Sequence, residues 1–357
     1  MASDPSDYTD FNWDDITPVP QDDGVNPLVQ IMYSDDYKQA TSLLRAVMAK
    51  HEYSPRALAL TEDIIETNSA HYTVWHYRLE ILKHLKITAV PKENWLPSAF
   101  KQNVNHEFAI DGAFDSLDDE ILEDYIWLNE TTEATAKNYQ IWHYRQLLKP
   151  SPKANPLFRK LYFAMERFVV ELVLSNDAKN YHAWSHLQWL AKNTPPEFRL
   201  QLDEEIEYTT FLLSQDVYNN SAWAYRYFIL PEAASPELLE REIGYVHFAI
   251  TEVPQNEASW NYLVGLYERF YFSQADKSTD ALAALEEFCL RFAPIDQPGL
   301  TEEVVFRSTH ALETLVTIYE KQKKVDKARK VLGLLETYIP IRKGYWAYKT
   351  KQLEAVN

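Results

Sequence analysis

The stretch Lys137-Asn138-Tyr139-Gln140-Ile141-Trp142-His143-Tyr144-Arg145 is said again, little changed, as Lys179-Asn180-Tyr181-His182-Ala183-Trp184-Ser185-His186. Fainter copies are His71-Tyr72-Thr73-Val74-Trp75-His76-Tyr77-Arg78, Asn219-Asn220-Ser221-Ala222-Trp223-Ala224-Tyr225-Arg226 and Asn256-Glu257-Ala258-Ser259-Trp260-Asn261-Tyr262. Tyr345-Trp346-Ala347-Tyr348-Lys349 reads as a degraded last copy. Trp142, Trp184, Trp223 and Trp260 are spaced by 42, 39 and 37 residues, and the 67 residues from Trp75 to Trp142 fit one repeat plus an insertion. A period of this size is that of two-helix repeats that bury their apolar faces by stacking.

Composition supports an array of helices. There are only 7 glycines in 357 residues, and glycine is the residue that weakens helices and serves tight turns. The apolar share of 46%, with 14% aromatic residues, supplies a substantial core. Cys289 is the one cysteine, which excludes an internal disulfide framework and a cysteine-rich zinc site. A net charge of −18 opposes nucleic-acid binding, which needs Lys and Arg to neutralise phosphates. No run approaches the roughly 20 apolar residues of a membrane span. The acidic N-terminus lacks the apolar core of a secretory signal, so the cytoplasm is the expected compartment.

Taken in order, residues 1–30 read as an acidic, proline-containing extended segment. Met1 to Asp23 holds seven aspartates and no Lys or Arg, the pattern of a solvated tail. Residues 31–357 read as a single α-helical repeat domain, with helical periodicity from about Asp35. Ser54 to Thr67 opens on a capping serine followed by proline and pairs with Tyr72 to His84. Thr88 to Asp111 reads as an irregular insertion. Further pairs are Ser116–Asn129 with Asn138–Leu148, Phe158–Leu174 with Tyr181–Lys192, and Pro196–Leu213 with Asn220–Ile229. Pro236–Glu252 pairs with Glu257–Phe272. Thr279–Phe292 follows, then Glu302–Lys321 with Val325–Tyr338, and a last short helix, Tyr345–Leu353.

Within one copy, Asn138, Trp142 and Arg145 stand at i, i+4 and i+7, one stripe of a helix. The asparagine can cap the entrance, the tryptophan must be buried between helices, and the arginine can bond a neighbouring turn. That stripe is scaffold. Beside it, Lys137, Tyr139 and Gln140 in one copy, and Lys179, Tyr181 and His182 in the next, stand at a helix N-terminus. Unpaired amides and the positive dipole end suit an anion there. On spacing alone, the first reading of these residues is as exposed polar groups at helix starts.

The copies resemble the prenyltransferase α-subunit repeat. More narrowly, the chain resembles the α subunits shared by protein farnesyltransferase and protein geranylgeranyltransferase type I. The resemblance rests on Pro18-Val19-Pro20-Gln21-Asp22-Asp23-Gly24 with Asn26-Pro27, on Tyr72-Thr73-Val74-Trp75-His76, on Lys137-Asn138-Tyr139-Gln140, and on Asp177-Ala178-Lys179-Asn180-Tyr181-His182-Ala183-Trp184. It implies an all-α, right-handed superhelical solenoid of helical hairpins, shaped as a crescent around an obligate β subunit. That partner would bind the isoprenoid diphosphate and the catalytic zinc, with magnesium accompanying the diphosphate, and this chain would hold no metal. The substrates implied are proteins ending in a CaaX motif.

By position in the motif, Lys137 would meet the departing diphosphate, with His182 and Tyr181 on the same side of the site. Gln140 would bond the substrate's terminal carboxylate. Tyr72 and Tyr139 would line the substrate region. His71 stands where the family has asparagine, so that helix entrance would be capped differently. Two other readings compete: the α subunit of a Rab geranylgeranyltransferase, and a non-catalytic helical-repeat scaffold.

Overall fold

The computed structural model describes residues 7–29, 31–85, 119–154, 156–272, 275–295 and 306–355. The expected Thr88–Asp111 insertion lies outside these residues, as do the start of the helix expected from Ser116 and residues 302–305 of the one expected from Glu302. Among the described residues the regular structure is helical, with no strand. The chain forms two compact units, Met1–Arg199 and Leu200–Asn357.

The first unit holds α1 (Asp35–Ala49), α2 (Pro55–Thr67), α3 (Tyr72–His84), α4 (Asp119–Ala134), α5 (Tyr139–Leu147), α6 (Pro156–Asn176) and α7 (Tyr181–Asn193). The second holds α8 (Leu202–Gln215), α9 (Asn220–Ile229), α10 (Pro236–Glu252), α11 (Glu257–Tyr267), α12 (Ala275–Leu290), α13 (Thr309–Lys321), α14 (Val325–Tyr338) and α15 (Lys343–Ala355). Each helix packs on its hairpin partner, and the tryptophan-bearing helices also pack on one another: α3 on α5 and α5 on α7 in the first unit, α9 on α11 in the second.

Local sequence sets many of the boundaries. Ser54 caps α2 through the Ala57 amide and Pro55 opens it; Ser235 and Pro236 do the same for α10. Two expected helices are broken. Pro196–Phe198 forms only a 3₁₀ turn, and α8 restarts at Leu202, where the Glu204 carboxylate accepts the Gln201 amide at 2.5 Å. Two successive prolines followed by this fresh N-terminal cap explain the interruption. Glu257–Phe272 divides into α11 and a π-helical turn, Glu268–Phe272.

One device recurs in five of the copies. The tryptophan indole N–H donates to the carbonyl six residues upstream: Trp75 to Ser69 at 2.8 Å, Trp142 to Ala136 at 2.9 Å, Trp184 to Ala178 at 3.0 Å, Trp223 to Val217 at 2.9 Å and Trp260 to Pro254 at 2.8 Å. Burying so large an apolar ring thus leaves no orphaned donor. Asn138, Asn180, Asn219 and Asn256 each accept the backbone amide two residues on. The other end of the cap reaches the preceding copy. Asn180 Nδ2 donates to the Ala136 carbonyl at 3.3 Å, and Asn256 Nδ2 to the Val217 carbonyl at 2.7 Å. These are the carbonyls already held by Trp142 and Trp223, so one oxygen ties two repeats together. His71, in place of asparagine, makes no side-chain cap at all, where a different cap was expected. In the degraded copy the Trp346 indole reaches a carbonyl seven residues back, Ile339, at 3.4 Å.

The arginine of the stripe is buried and fully bonded. Arg145 meets Glu166 of the next repeat at 2.9 Å, and also donates to Thr132 at 2.9 Å and Asn129 at 2.8 Å. Arg226 pairs with Glu242 at 2.7 Å and donates to Thr209 and Thr210. Each glutamate then receives a second partner from its own repeat: His186 lies 2.7 Å from Glu166, and Tyr262 donates to Glu242 at 2.6 Å. Burial pushes the Glu166 pKa up, but Arg145 and His186 outweigh it and hold the carboxyl below its ordinary range. A buried charge survives only with such pairing.

Residues 7–16 dock on the helices, unlike the solvated tail that the aspartates suggest, while residues 17–29 stay exposed. Tyr8 and Ile16 are buried, and Trp13 donates to the Tyr8 carbonyl at 2.9 Å. Arg56 of α2 binds Asp15 at 2.7 Å and lies 4.9 Å from the Trp13 ring centre. Arg45 of α1 and Lys50, the residue that ends it, hold the Val19 and Asp15 carbonyls at 2.7 and 2.8 Å. Apolar residues interleaved with the acids supply the docking face, and three cations supply its anchors.

Candidate functional site

Ala136 sits in the loop between α4 and α5, and its doubly bonded carbonyl fixes that loop. Lys137, Tyr139 and Gln140 issue from it. They help to line an open groove of about 870 Å³ in the first unit, together with Ala70, Asp177 and Asn180. Three of the six residues expected from sequence therefore share a groove. Tyr72, Tyr181 and His182 do not line it. Tyr181 and His182 form an edge-on pair 5.6 Å apart at the first turn of α7, next to Asn180.

Lys137 is the exposed cation of this groove, with its side chain 84% accessible. Its Nζ lies 3.5 Å from Asp177 Oδ2. An exposed pair of this length contributes little stability, about 0–1 kcal/mol, so the lysine is not there to hold the fold. Tyr72, Tyr139 and Tyr181 are exposed for the same reason of position: each is the first residue of its helix, three before the buried tryptophan.

Gln140 is nearly buried, 9% exposed, and its Nε2 donates to the Ala70 carbonyl at 2.8 Å. One amide hydrogen is thus spent on the preceding repeat, and the second is left to give. The backbone amides expected to receive an anion are in part already taken. Asn138 accepts from the Gln140 amide at 2.8 Å, and Asn180 from those of His182 and Ala183 at 3.0 Å. Asparagine capping thus occupies these donors.

Asp177 was not singled out by sequence reasoning. Its signal was present: it stands seven residues before Trp184, as Asn68 and Asp216 stand seven before Trp75 and Trp223. Among the described residues no group of three or more His, Cys, Asp or Glu is arranged to hold a metal ion, and no helix is long and apolar enough to cross a membrane.

With this geometry in hand, likeness to known proteins is informative. The model of the protein prenyltransferase alpha subunit repeat matches residues 54–85, 164–194 and 202–233. The protein farnesyltransferase/geranylgeranyltransferase type-1 subunit alpha of Candida albicans is 36% identical, over 97% of this chain and 98% of that protein. The structure of Candida albicans protein geranylgeranyltransferase-I complexed with GGPP matches with a TM-score of 0.73 and 33% identity, over 96% of this chain and 99% of that one. The geranylgeranyl transferase type-2 subunit alpha of Saccharomyces cerevisiae is more distant, 27% identical over 64% of this chain.

Proposed function

The chain belongs to the family of protein farnesyltransferase/geranylgeranyltransferase type-1 α subunits, and from that membership we propose how its own residues serve prenyl transfer. It is an α subunit of a protein prenyltransferase, one half of a heterodimer. The type-2 reading is the weaker one, given the lower identity and coverage of those relatives. The scaffold reading leaves Lys137 without a purpose, since its exposed pair with Asp177 adds little to the fold.

We assign the isoprenoid diphosphate to the groove edge at Lys137. In the reaction a cysteine thiolate of the protein substrate attacks C1 of the isoprenoid, and the C1–O bond to diphosphate breaks. Negative charge grows on the departing oxygen. A cation placed there stabilises the transition state more than the ground state. Lys137 is that cation. Tyr181 and His182, side by side at the next helix start, donate to the same anion. Gln140, anchored by Ala70, gives its second amide hydrogen to the substrate's terminal carboxylate. Tyr72 and Tyr139 offer aromatic faces to the substrate region.

The partner is a β subunit, and the protein substrates end in CaaX. Zinc, which the family places in that partner, supplies a lowered thiol pKa when bound, and magnesium would accompany the diphosphate. The heterodimer works in the cytoplasm. The observation that carries this reading is an exposed lysine in a weak surface pair, on a loop whose Ala136 carbonyl accepts from two repeats.

Co-expression with a farnesyltransferase β subunit and with a geranylgeranyltransferase type-1 β subunit tests it. Each purified pair is assayed for transfer of a labelled prenyl group to a CaaX peptide. Transfer with at least one pair is expected; transfer with neither removes the reading.

A further inference from the structure

The repeats allow one residue's charge to be separated from its structural duty. Seven residues before the tryptophan, a side-chain oxygen accepts the amide two residues on: Asn68 from Ala70 at 3.2 Å, Asp177 from Lys179 at 3.4 Å, Asp216 from Tyr218 at 2.9 Å. This turn needs an acceptor and nothing more, and Asn68 fills it without a charge. The carboxylate of Asp177 is thus surplus to the turn. Its second oxygen, Oδ2, faces Nζ of Lys137 from the preceding repeat at 3.5 Å, at the edge of the groove.

We propose that Asp177 is a positioning residue: the resting counter-ion that holds the Lys137 ammonium at the groove before a diphosphate arrives and takes it back as the diphosphate leaves. The proposal rests on the reading of Lys137 as the diphosphate's cation. Its chemistry is simple exchange of one anion for another. The side chains are 84% and 39% exposed, so the pair is weak enough to open. A diphosphate carries more charge than one carboxylate and wins the lysine while it is bound. Once it has left, the carboxylate reclaims the ammonium, so Asp177 weakens retention of the product.

The test uses the heterodimer and inorganic pyrophosphate as the probe, with its affinity read by displacement of a prenyl diphosphate. Asp177→Asn keeps the turn and removes the charge. It is expected to tighten pyrophosphate about threefold, the scale of an exposed ion pair. Asp177→Glu restores the charge and should return the wild-type affinity. Asp177→Ala should match Asp177→Asn in affinity and also melt earlier, because it loses the turn. In a Lys137→Ala background, Asp177→Asn should have no effect. An unchanged affinity in Asp177→Asn overturns the proposal, and so does a tightening that persists in the Lys137→Ala background. Should Lys137→Ala alone leave both pyrophosphate affinity and the chemical step untouched, the reading of the lysine itself fails, whatever the Asp177 variants do.

Discussion

Arg145 of one repeat and Glu166 of the next, both without solvent exposure, meet at 2.9 Å. His186 closes the set from the other side at 2.7 Å. The pair joins repeats in the interior, where the Ala136 carbonyl joins them near the surface.

Glu166→Gln is expected to cost about 3–5 kcal/mol, because it leaves the Arg145 charge buried without its counter-charge. Arg145→Met with Glu166→Leu should recover most of that loss. Urea unfolding of the heterodimer measures both. The pH dependence has a fixed sign. The folded pKa of Glu166 lies below its ordinary value, so its contribution is present above the ordinary glutamate range and is lost as pH falls through the folded value.

His247 of α10 gives a second pH effect, in the other unit. Its ring stacks on Phe288 with centres 3.7 Å apart, and burial, with Arg291 adding to it, pushes its pKa down to about 4. Between the ordinary histidine value and 4, the unfolded chain takes a proton that the folded chain refuses. Stability therefore rises with pH across that window. Melting curves at pH 7.5 and 5 should differ less for His247→Phe, which keeps the stack and removes the titration. An unaltered difference would contradict the assignment.

The asparagine caps should not be equal. Asn180 accepts two amides and donates to the neighbouring repeat, whereas Asn138 accepts one. Asn180→Ala is expected to cost about 1–2 kcal/mol and Asn138→Ala the lower end of that range or less. Thermal unfolding of the two variants checks the order.

Exposed tyrosines should behave oppositely. Tyr181 is 77% exposed, so Tyr181→Ala should change stability by less than about 0.5 kcal/mol. If its hydroxyl serves the diphosphate, the chemical step should still fall about tenfold. A variant that melts early yet transfers normally would reverse that assignment.

Much of this architecture is legible in the residues, and the reason is locality. Serine–proline starts and helical periodicity gave α2, α3, α9, α10 and α14 at their observed limits, because caps and stripes act within a few residues. The restart at Leu202 was hidden by the apolar spacing that runs through Pro196–Phe198. Docking of Tyr8, Trp13 and Ile16 was masked by the aspartates between them, since only the fold brings Arg45, Lys50 and Arg56 to meet them. The site divides in the same way. Lys137, Tyr139 and Gln140 lie within one motif and share a groove. Asp177 belongs to another repeat, and only folding brings it to Lys137. Ala70 and Ala136 act through backbone carbonyls, for which side-chain identity carries no signal.

The central claim is that Lys137 acts on the departing diphosphate in the transition state. Single-turnover transfer by the Lys137→Ala heterodimer tests it most directly, with isoprenoid affinity measured on the same preparation. The account predicts a chemical step slowed about 10²-fold, with isoprenoid affinity changed by less than about threefold. A chemical step at the wild-type rate would contradict it.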